Sequence, residues 1–150
     1  MGERTSRRPW VEVVDFVVRK LRERFDVEAV LLHGSWARGG GGDWSDVDLV
    51  VITDNVKGMN ILDRFYISAE FRRYRVDVVF YTFEELDRMA SKGNPLALSA
   101  LIEGIPIVIS SRIEQLRSRI ARSYVRKGKV WIQVPTESLA FQGEHGEKSL

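Results

Sequence analysis

Two short, largely apolar runs, each with an aspartate inside it, constrain the fold of this 150-residue chain most strongly. Val47–Ile52 consists of Val, Leu and Ile apart from Asp48, and residues 74–81 repeat the pattern around Asp77. Runs of this kind predict strands that are buried on both faces of a sheet. Because an uncompensated carboxylate is costly there, we expect a cation close to Asp48.

Asp46 adds a second carboxylate beside Asp48. Residues two apart in an extended chain project from the same face, so these two side chains should converge. Asp77 would complete a three-carboxylate site if the two strands are neighbours, and such oxygen ligands suit Mg²⁺. The alternative for a lone D-x-D is a strand-end cap or a salt bridge to an arginine, because the pattern is short and common.

A predicted turn precedes the acids. Residues 27–32 indicate a buried strand, after which Gly34 and Ser35 turn the chain and Arg38 follows. This arrangement predicts phosphate binding by backbone N–H groups at a helix N-terminus, with Arg38 as a bidentate cation. We interpret His33, which closes the strand, as structural, because nothing nearby in the sequence offers it the partner of a catalytic base.

The string GSWARGGGGDWSDVDLVV, residues 34–51, resembles the signature of the minimal nucleotidyltransferases. These are small members of the DNA polymerase beta superfamily, whose pattern is G-S, then A-R-G, a spacer, and S-D-x-D-L. The R-V-D-V-V of residues 75–79 is similar to the segment that carries the family's third acid. The remainder of the chain agrees with the family in length and in the order of its elements.

The resemblance implies a role for each acid. Asp46 and Asp48 would bind two Mg²⁺ ions, and Asp77 would bind only the ion beside the attacking group. All three are therefore the expected catalytic and metal-binding residues. The implied reaction is an in-line displacement at the α-phosphorus of an NTP, with pyrophosphate leaving.

The resemblance also implies the nucleotide contacts and the acceptor. Gly34 and Ser35 would contact the terminal phosphates of the NTP, assisted by Arg38. Stand-alone prokaryotic members of the family resemble antitoxins paired with an all-helical toxin of the HEPN (higher eukaryotes and prokaryotes nucleotide-binding) class. We therefore expect transfer of AMP from ATP to a hydroxyl of such a partner. Two alternatives stay open: transfer to RNA or a small molecule, and a non-catalytic module that neutralises a partner by contact.

The remaining elements alternate between helix and strand. Their order predicts an α/β or α+β domain with a small mixed sheet flanked by helices, and the resemblance implies the polymerase beta-like nucleotidyltransferase fold. The expected elements are an amphipathic helix over residues 9–25, a helix over 60–72, a helix from Phe83 to about Ser91 with a Thr82–Glu85 capping box, a helix from Asn94 to Gly104, an edge strand over 105–109, and a helix opened by a Ser111–Glu114 capping box.

The last predicted helix is strongly basic. Residues 112–129 carry a local charge of +6 in a chain of net charge +2, so the remainder carries −4. The helix could follow a nucleic-acid backbone, but no aromatic side chains alternate with the charges, which favours a solvated face or partner docking. The basic residues are Arg112, Arg117, Arg119, Arg122, Arg126, Lys127 and Lys129.

Composition limits the class of protein. The chain has no cysteine, which excludes disulfides, thiolate metal sites and cysteine nucleophiles. No apolar run approaches the roughly 18 residues needed to cross a bilayer, and residues 1–8 are polar rather than typical of a signal peptide. We expect a cytoplasmic protein without membrane contact, with one domain over residues 1–135 and a polar, flexible tail over residues 136–150.

Overall fold

A central sheet with helices on both faces organises the chain. The computed structural model describes residues 10–39 and 46–135. Its elements in chain order are helix α1 (Val11–Arg22), strands β1 (Ala29–His33) and β2 (Val47–Ile52), a 3₁₀ turn (Asp54–Val56), helix α2 (Ile61–Ser68) continued by a 3₁₀ segment (Ala69–Tyr74), strand β3 (Val76–Tyr81), helices α3 (Phe83–Ser91) and α4 (Pro95–Leu98), a π-helical turn (Ser99–Glu103), strand β4 (Ile105–Val108), helix α5 (Ser111–Ser123), and strands β5 (Tyr124–Lys127) and β6 (Val130–Gln133).

The main sheet has the strand order β3-β2-β1-β4. β1 pairs antiparallel with both β2 and β4, whereas β2 and β3 are parallel, so the sheet is mixed as expected. β2 lies inside the sheet with Leu49 to Ile52 fully buried, which confirms the prediction of a central strand. Pro106 lies in the edge strand β4, also as predicted, because proline cannot donate to a further strand.

β3 is an edge strand, and the prediction that it is buried on both faces is wrong. Val76, Val78 and Phe80 are buried on one face, but Asp77 is exposed and the residues between are only half-buried. The helices on the second face cover the interior strands better than this edge. The apolar residues of β3 are therefore closely packed on one face of the sheet and only partly buried on the other.

Helix α2 covers the outer edge of β3. Ser68 Oγ donates to the carbonyl of Val78 at 2.7 Å, and Arg64 donates to the carbonyl of Phe80 at 3.2 Å. Arg64 also forms a bidentate ion pair with Glu85, at 2.6 and 2.9 Å. These side chains occupy backbone acceptors that would otherwise be available to a foreign strand.

The sheet separates two hydrophobic clusters. On the first face, Val30 and Leu32 of β1 pack with α1. On the second face, Leu31 packs with helices α3, α4 and α5. Within the described part of the chain, no helix is both long and apolar enough to cross a membrane.

The predicted start of one helix is confirmed, and that of another is shifted by one residue. α3 starts at Phe83 behind a complete Thr82–Glu85 capping box, as predicted. The second predicted capping box is wrong: Ser110, not Ser111, is the N-cap of α5, because it has the extended backbone and accepts from Ile113 N at 3.3 Å. α1 is shorter than the predicted 9–25, and residue 9 lies outside the described residues.

The predicted basic helix over residues 112–129 is wrong in its second half. α5 ends at Ser123, and the chain continues as the β5–β6 hairpin, whose two-residue turn includes Gly128 at φ +63°. Tyr124 and Val125, an aromatic and a β-branched residue, favour a strand over a helix. The predicted tail, residues 136–150, lies outside the described residues.

Candidate active site

The parallel pairing of β2 and β3 brings the predicted acids together. Asp48 lies directly opposite Asp77 in the register, and residues that face each other in a sheet project from the same side. Asp46, two residues before Asp48, shares that side. The condition stated for the three-carboxylate site, that the two strands be neighbours, is therefore met.

His33 lies on a third strand, β1, in a row with Asp48 and Asp77 across the sheet. It pairs with Asp48 in the β1–β2 register, so His33, Asp48 and Asp77 stand side by side on the face that carries α3 to α5. Its Nε2 atom is buried and has no hydrogen-bond partner among the described residues. Burial lowers the pKa of His33, an effect that the Arg38 charge reinforces and the Asp77 charge opposes. The sequence predicted only a structural role for His33, and its position beside Asp48 depends on the β1–β2 register, which the sequence does not show.

Asp48 is in an unfavourable environment for a negative charge. Burial raises its pKa, the charges of Asp77 and Asp46 raise it further, and Arg38 opposes them. A half-buried carboxylate beside two like charges is the environment that a bound cation relieves.

Asp46 is engaged by a neighbouring arginine. Its Oδ1 atom accepts from Arg75 Nε at 3.2 Å, and both side chains are largely exposed. Arg75 adopts a left-handed backbone, with φ +63°, at the residue before β3. Within residues 10–39 and 46–135, no three acidic or histidine side chains are already arranged around a common metal position. The acids thus share one face, and Asp46 is turned towards Arg75.

Gly34 makes the turn after β1, and both its backbone angle and its closeness to Asp48 favour glycine at this position. Its φ is +79°, and a Cβ atom there would lie 2.5 Å from Asp48 Oδ2. Ser35 and Arg38 follow in the same turn, which is closed by a hydrogen bond from Arg38 N to the carbonyl of Gly34 at 3.2 Å. Up to residue 39 this segment is a series of turns, so the expected helix N-terminus is absent from the described residues.

A cavity of about 350 Å³ opens beside the acids. Asp46 and Asp77 line it together with Arg72 and Arg75, so it combines carboxylates with two cations. Sequence reasoning missed both arginines as site residues. The available signal was the basic run of residues 72–75 immediately before the third acid.

Most of the basic segment identified in the sequence is neutralised within the molecule. The inner face of α5 is buried through Ile113, Leu116 and Ile120. Among the described residues, four of the seven cations make ion pairs: Arg112 with Glu28 and Asp54, Arg117 with Glu114, Arg119 with Asp87, and Arg126 with Glu103. This pairing weakens the case for a nucleic-acid surface.

The environment of the acids fits a divalent cation. All of the donors are carboxylate oxygens, the ligands that Mg²⁺ prefers. Asp48 is destabilised by the surrounding negative charge, and Gly34 leaves the space beside Asp48 Oδ2 free of side-chain atoms. The two arginines lining the cavity offer matching charges for the phosphates that accompany such a cation.

Comparison with known proteins extends the sequence resemblance. Over 135 residues the chain is 27% identical to a protein of Methanocaldococcus jannaschii that is provisionally named a protein adenylyltransferase, and the alignment covers 79% of this chain and 90% of that protein. A Sulfolobus solfataricus crystal structure, provisionally described as a nucleotidyltransferase, shares 33% identity over 51% of this chain and 70% of that one, with a TM-score of 0.46.

A toxin–antitoxin pair crystallised with AMP-PNP has a similar fold. The alignment with one chain of that structure covers 69% of this chain and 80% of the matched chain, with a TM-score of 0.50 and 14% identity. The sequence pattern of the nucleotidyltransferase domain family matches residues 14–107, which include the Gly34 turn and the acids on β2 and β3. This match spans more than half of the chain, which therefore belongs to the nucleotidyltransferase domain family and is a nucleotidyltransferase.

Proposed function

We propose that this nucleotidyltransferase transfers AMP from ATP to a hydroxyl group of a HEPN-type partner protein, and so acts as the antitoxin of a toxin–antitoxin pair. The observation that carries the proposal is the Asp48–Asp77 register beside the Gly34 turn. It joins the carboxylates of two strands to a glycine turn that leaves the space beside Asp48 Oδ2 free of side-chain atoms, in a chain whose family transfers nucleotides.

Asp46, Asp48 and Asp77 would hold two Mg²⁺ ions. When bound, such ions stabilise the negative charge that develops on the attacking and leaving oxygens. Asp46 would have to leave its ion pair with Arg75 to take part, and that pair is exposed and therefore weak.

The chain's own residues would position the reactants. The backbone N–H groups of Gly34 and Ser35 would donate to the terminal phosphates, and Arg38 would pair with them. The acceptor oxygen would form a bond to the α-phosphorus as the bond to the β-phosphate oxygen breaks, so that pyrophosphate leaves. Asp77, which is exposed, would accept the hydroxyl proton.

The choice of acceptor rests on the relatives. The Methanocaldococcus protein is provisionally named for adenylyl transfer to protein. The chain that shares this fold comes from a toxin–antitoxin structure with AMP-PNP, an ATP analogue. The internal pairing of the basic segment argues against RNA as the acceptor. Because ATP is the donor, the proposal places the reaction in the cytoplasm.

Incubation with ATP labelled at the α-phosphate tests the proposal. The protein, Mg²⁺ and either a candidate HEPN-type partner protein or total RNA are mixed, and the position of the label is determined. We expect label on the protein partner, on a hydroxyl-bearing side chain. Label on RNA alone would contradict the proposed acceptor, and suppression of toxicity by an inactive variant would favour the non-catalytic alternative.

Asp77→Asn tests the division of roles among the acids. We expect transfer to fall by at least about a thousandfold, because the attacking hydroxyl loses both its ligand and its proton acceptor, while ATP binding with Mg²⁺ changes less than about threefold. Asp15→Asn, which alters an exposed carboxylate on α1, is the matched control. Equal loss of binding and transfer in Asp77→Asn would refute the assignment.

A further inference from the structure

Helix α2 presents an apolar face that no other described element covers. Ile61, Leu62, Phe65 and Tyr66 are between 48% and 84% exposed. At about 200 Å² for a large side chain, they expose on the order of 500 Å² of contiguous surface. A patch of that size is at the upper end for a monomer and commonly marks an interaction site. We call these four residues, together with the groove beside them, the α2 surface.

The groove runs between α2 and α3. It encloses about 370 Å³ and is lined mainly by apolar side chains, including Met59, Phe65, Val79, Tyr81 and Met89. Methionines and aromatic residues are common in grooves that accept an amphipathic helix. The four exposed residues are spaced one and four apart along α2, which forms a ridge against which another helix can pack.

The charges near this surface are balanced, which favours a protein over a nucleic-acid partner. Arg64 is neutralised by Glu85 at the base of the groove, and the exposed Asp63 and Arg88 at its margins have opposite signs. Nucleic-acid surfaces require an excess of basic residues, whereas a neutral apolar ridge is typical of a protein interface.

The α2 surface leads to the proposed active site. Ser68, at the last turn of α2, bonds to Val78, the residue after Asp77. The groove lies at the other end of β3, near Tyr81, about 13 Å from Asp77 along the strand. A helix lying along α2 would therefore have one end beside the carboxylates.

We propose that the α2 surface docks a helix of the acceptor protein, and that this docking delivers the acceptor hydroxyl to Asp77. The inference rests on the proposed function for the identity of the partner. The apolar side chains of the docked helix would fill the groove and the ridge, and the hydroxyl would come from the partner segment that extends past the Ser68 end of α2.

Paired substitutions on two exposed surfaces test this docking. Leu62→Glu with Tyr66→Glu places charges on the α2 surface. Val125→Glu with Val130→Glu makes the same kind of change on the β5–β6 hairpin, where both valines are also exposed. Affinity for the HEPN-type partner that accepts the label is measured by calorimetry without nucleotide, and urea unfolding checks that each variant is folded. We expect the α2 variant to lose at least about 30-fold in affinity and the hairpin variant to stay within twofold.

The transfer reaction separates this inference from the proposed function. With labelled ATP, the α2 variant should show a KM for the partner raised by at least about tenfold, with unchanged ATP binding. If the wild-type protein labels the partner and the α2 variant does so with the same KM, docking at α2 is refuted while the function stands. If the wild-type protein binds through α2 but transfers no AMP, the function and the delivery of a hydroxyl to Asp77 are refuted, while binding of a partner helix at α2 stands.

Three further outcomes would overturn the docking inference. One is that the hairpin variant, rather than the α2 variant, loses the partner. Another is that sedimentation shows a wild-type dimer that the α2 substitutions dissociate, which would make a second copy of this chain the occupant. The third is that the wild-type protein does not bind the partner.

Discussion

Gly34 and Asp48 pack so closely that the turn after β1 depends on glycine having no side chain. In Gly34→Ala the new Cβ would lie 2.5 Å from Asp48 Oδ2, and φ would remain near +79°. We expect a loss of about 1–3 kcal/mol in unfolding free energy and near loss of transfer activity. Gly58→Ala, at φ +80° with nothing within 4 Å, controls for the backbone cost alone. If the two variants unfold at the same urea concentration, the steric argument is wrong.

The raised pKa of Asp48 makes the metal-free protein less stable as this group ionises. Burial, Asp77 and Asp46 all disfavour the carboxylate. The penalty is absent below the unfolded pKa of about 4 and grows as pH rises through the higher folded pKa. Because solvent screens this half-exposed group, Asp48→Asn should gain only a few tenths to about 1 kcal/mol at neutral pH without divalent cations.

Urea unfolding at two pH values checks this expectation. The difference between Asp48→Asn and the wild-type protein should vanish at about pH 3, where both side chains are uncharged. Added Mg²⁺ should stabilise the wild-type protein and have less effect on the variant. A variant that is less stable than wild type at neutral pH without Mg²⁺ would contradict the assigned electrostatics.

At the scale of elements, the packing of α2 against β3 depends on Arg64. Its guanidinium is bound by Glu85 and donates to three backbone carbonyls, those of Val56, Met59 and Phe80. Arg64→Ala leaves these carbonyls without their donor and Glu85 without its counter-ion. We therefore expect a loss of about 3–5 kcal/mol and some aggregation through the uncovered β3 edge.

A second arginine provides the matched control for Arg64. Arg24 Nη1 donates to both carboxylate oxygens of Glu70, at 2.8 and 3.0 Å, but both partners are exposed. Arg24→Ala should cost no more than about 1 kcal/mol in urea unfolding. Similar losses in the two variants would mean that burial and the backbone bonds do not decide the difference.

At the scale of the whole molecule, Glu28 connects the start of the sheet to helix α5. It accepts from Arg112 at 2.6 and 2.8 Å and from Ser110 at 2.7 Å, across more than 80 residues of sequence. Arg112 also reaches Asp54 and lies over the Phe83 ring at 4.1 Å. The hydrogen bond from Arg112 holds the pKa of Glu28 below its usual value.

A lowered carboxylate pKa contributes stability above the unfolded pKa and loses it as pH falls through the folded pKa. Glu28→Gln should therefore cost about 1 kcal/mol at pH 7, a modest figure because Arg112 is exposed. The cost should shrink below about pH 4. Urea unfolding of both proteins across this range is the measurement, and a difference that does not depend on pH would rule out the ionic contribution.

Features that depend on near neighbours along the chain were predictable from sequence. The Thr82–Glu85 capping box, the buried core of β2 and the edge position of Pro106 follow from spacing and backbone chemistry over a few residues. The common face of Asp46 and Asp48 follows from the two-residue period of a strand. The signature string added the family, because residue types over an 18-residue span had to agree.

Tertiary structure decided what depends on distant residues. The sequence could state that Asp77 completes the site only if β3 lies beside β2, and the parallel register supplies that condition. It could not indicate that Asp46 pairs with Arg75, that His33 joins the row of acids, or that four arginines of the basic segment are neutralised. The order of strands and the partner of each charge are set by packing between segments far apart in sequence. The local spacing of residues does not specify that packing.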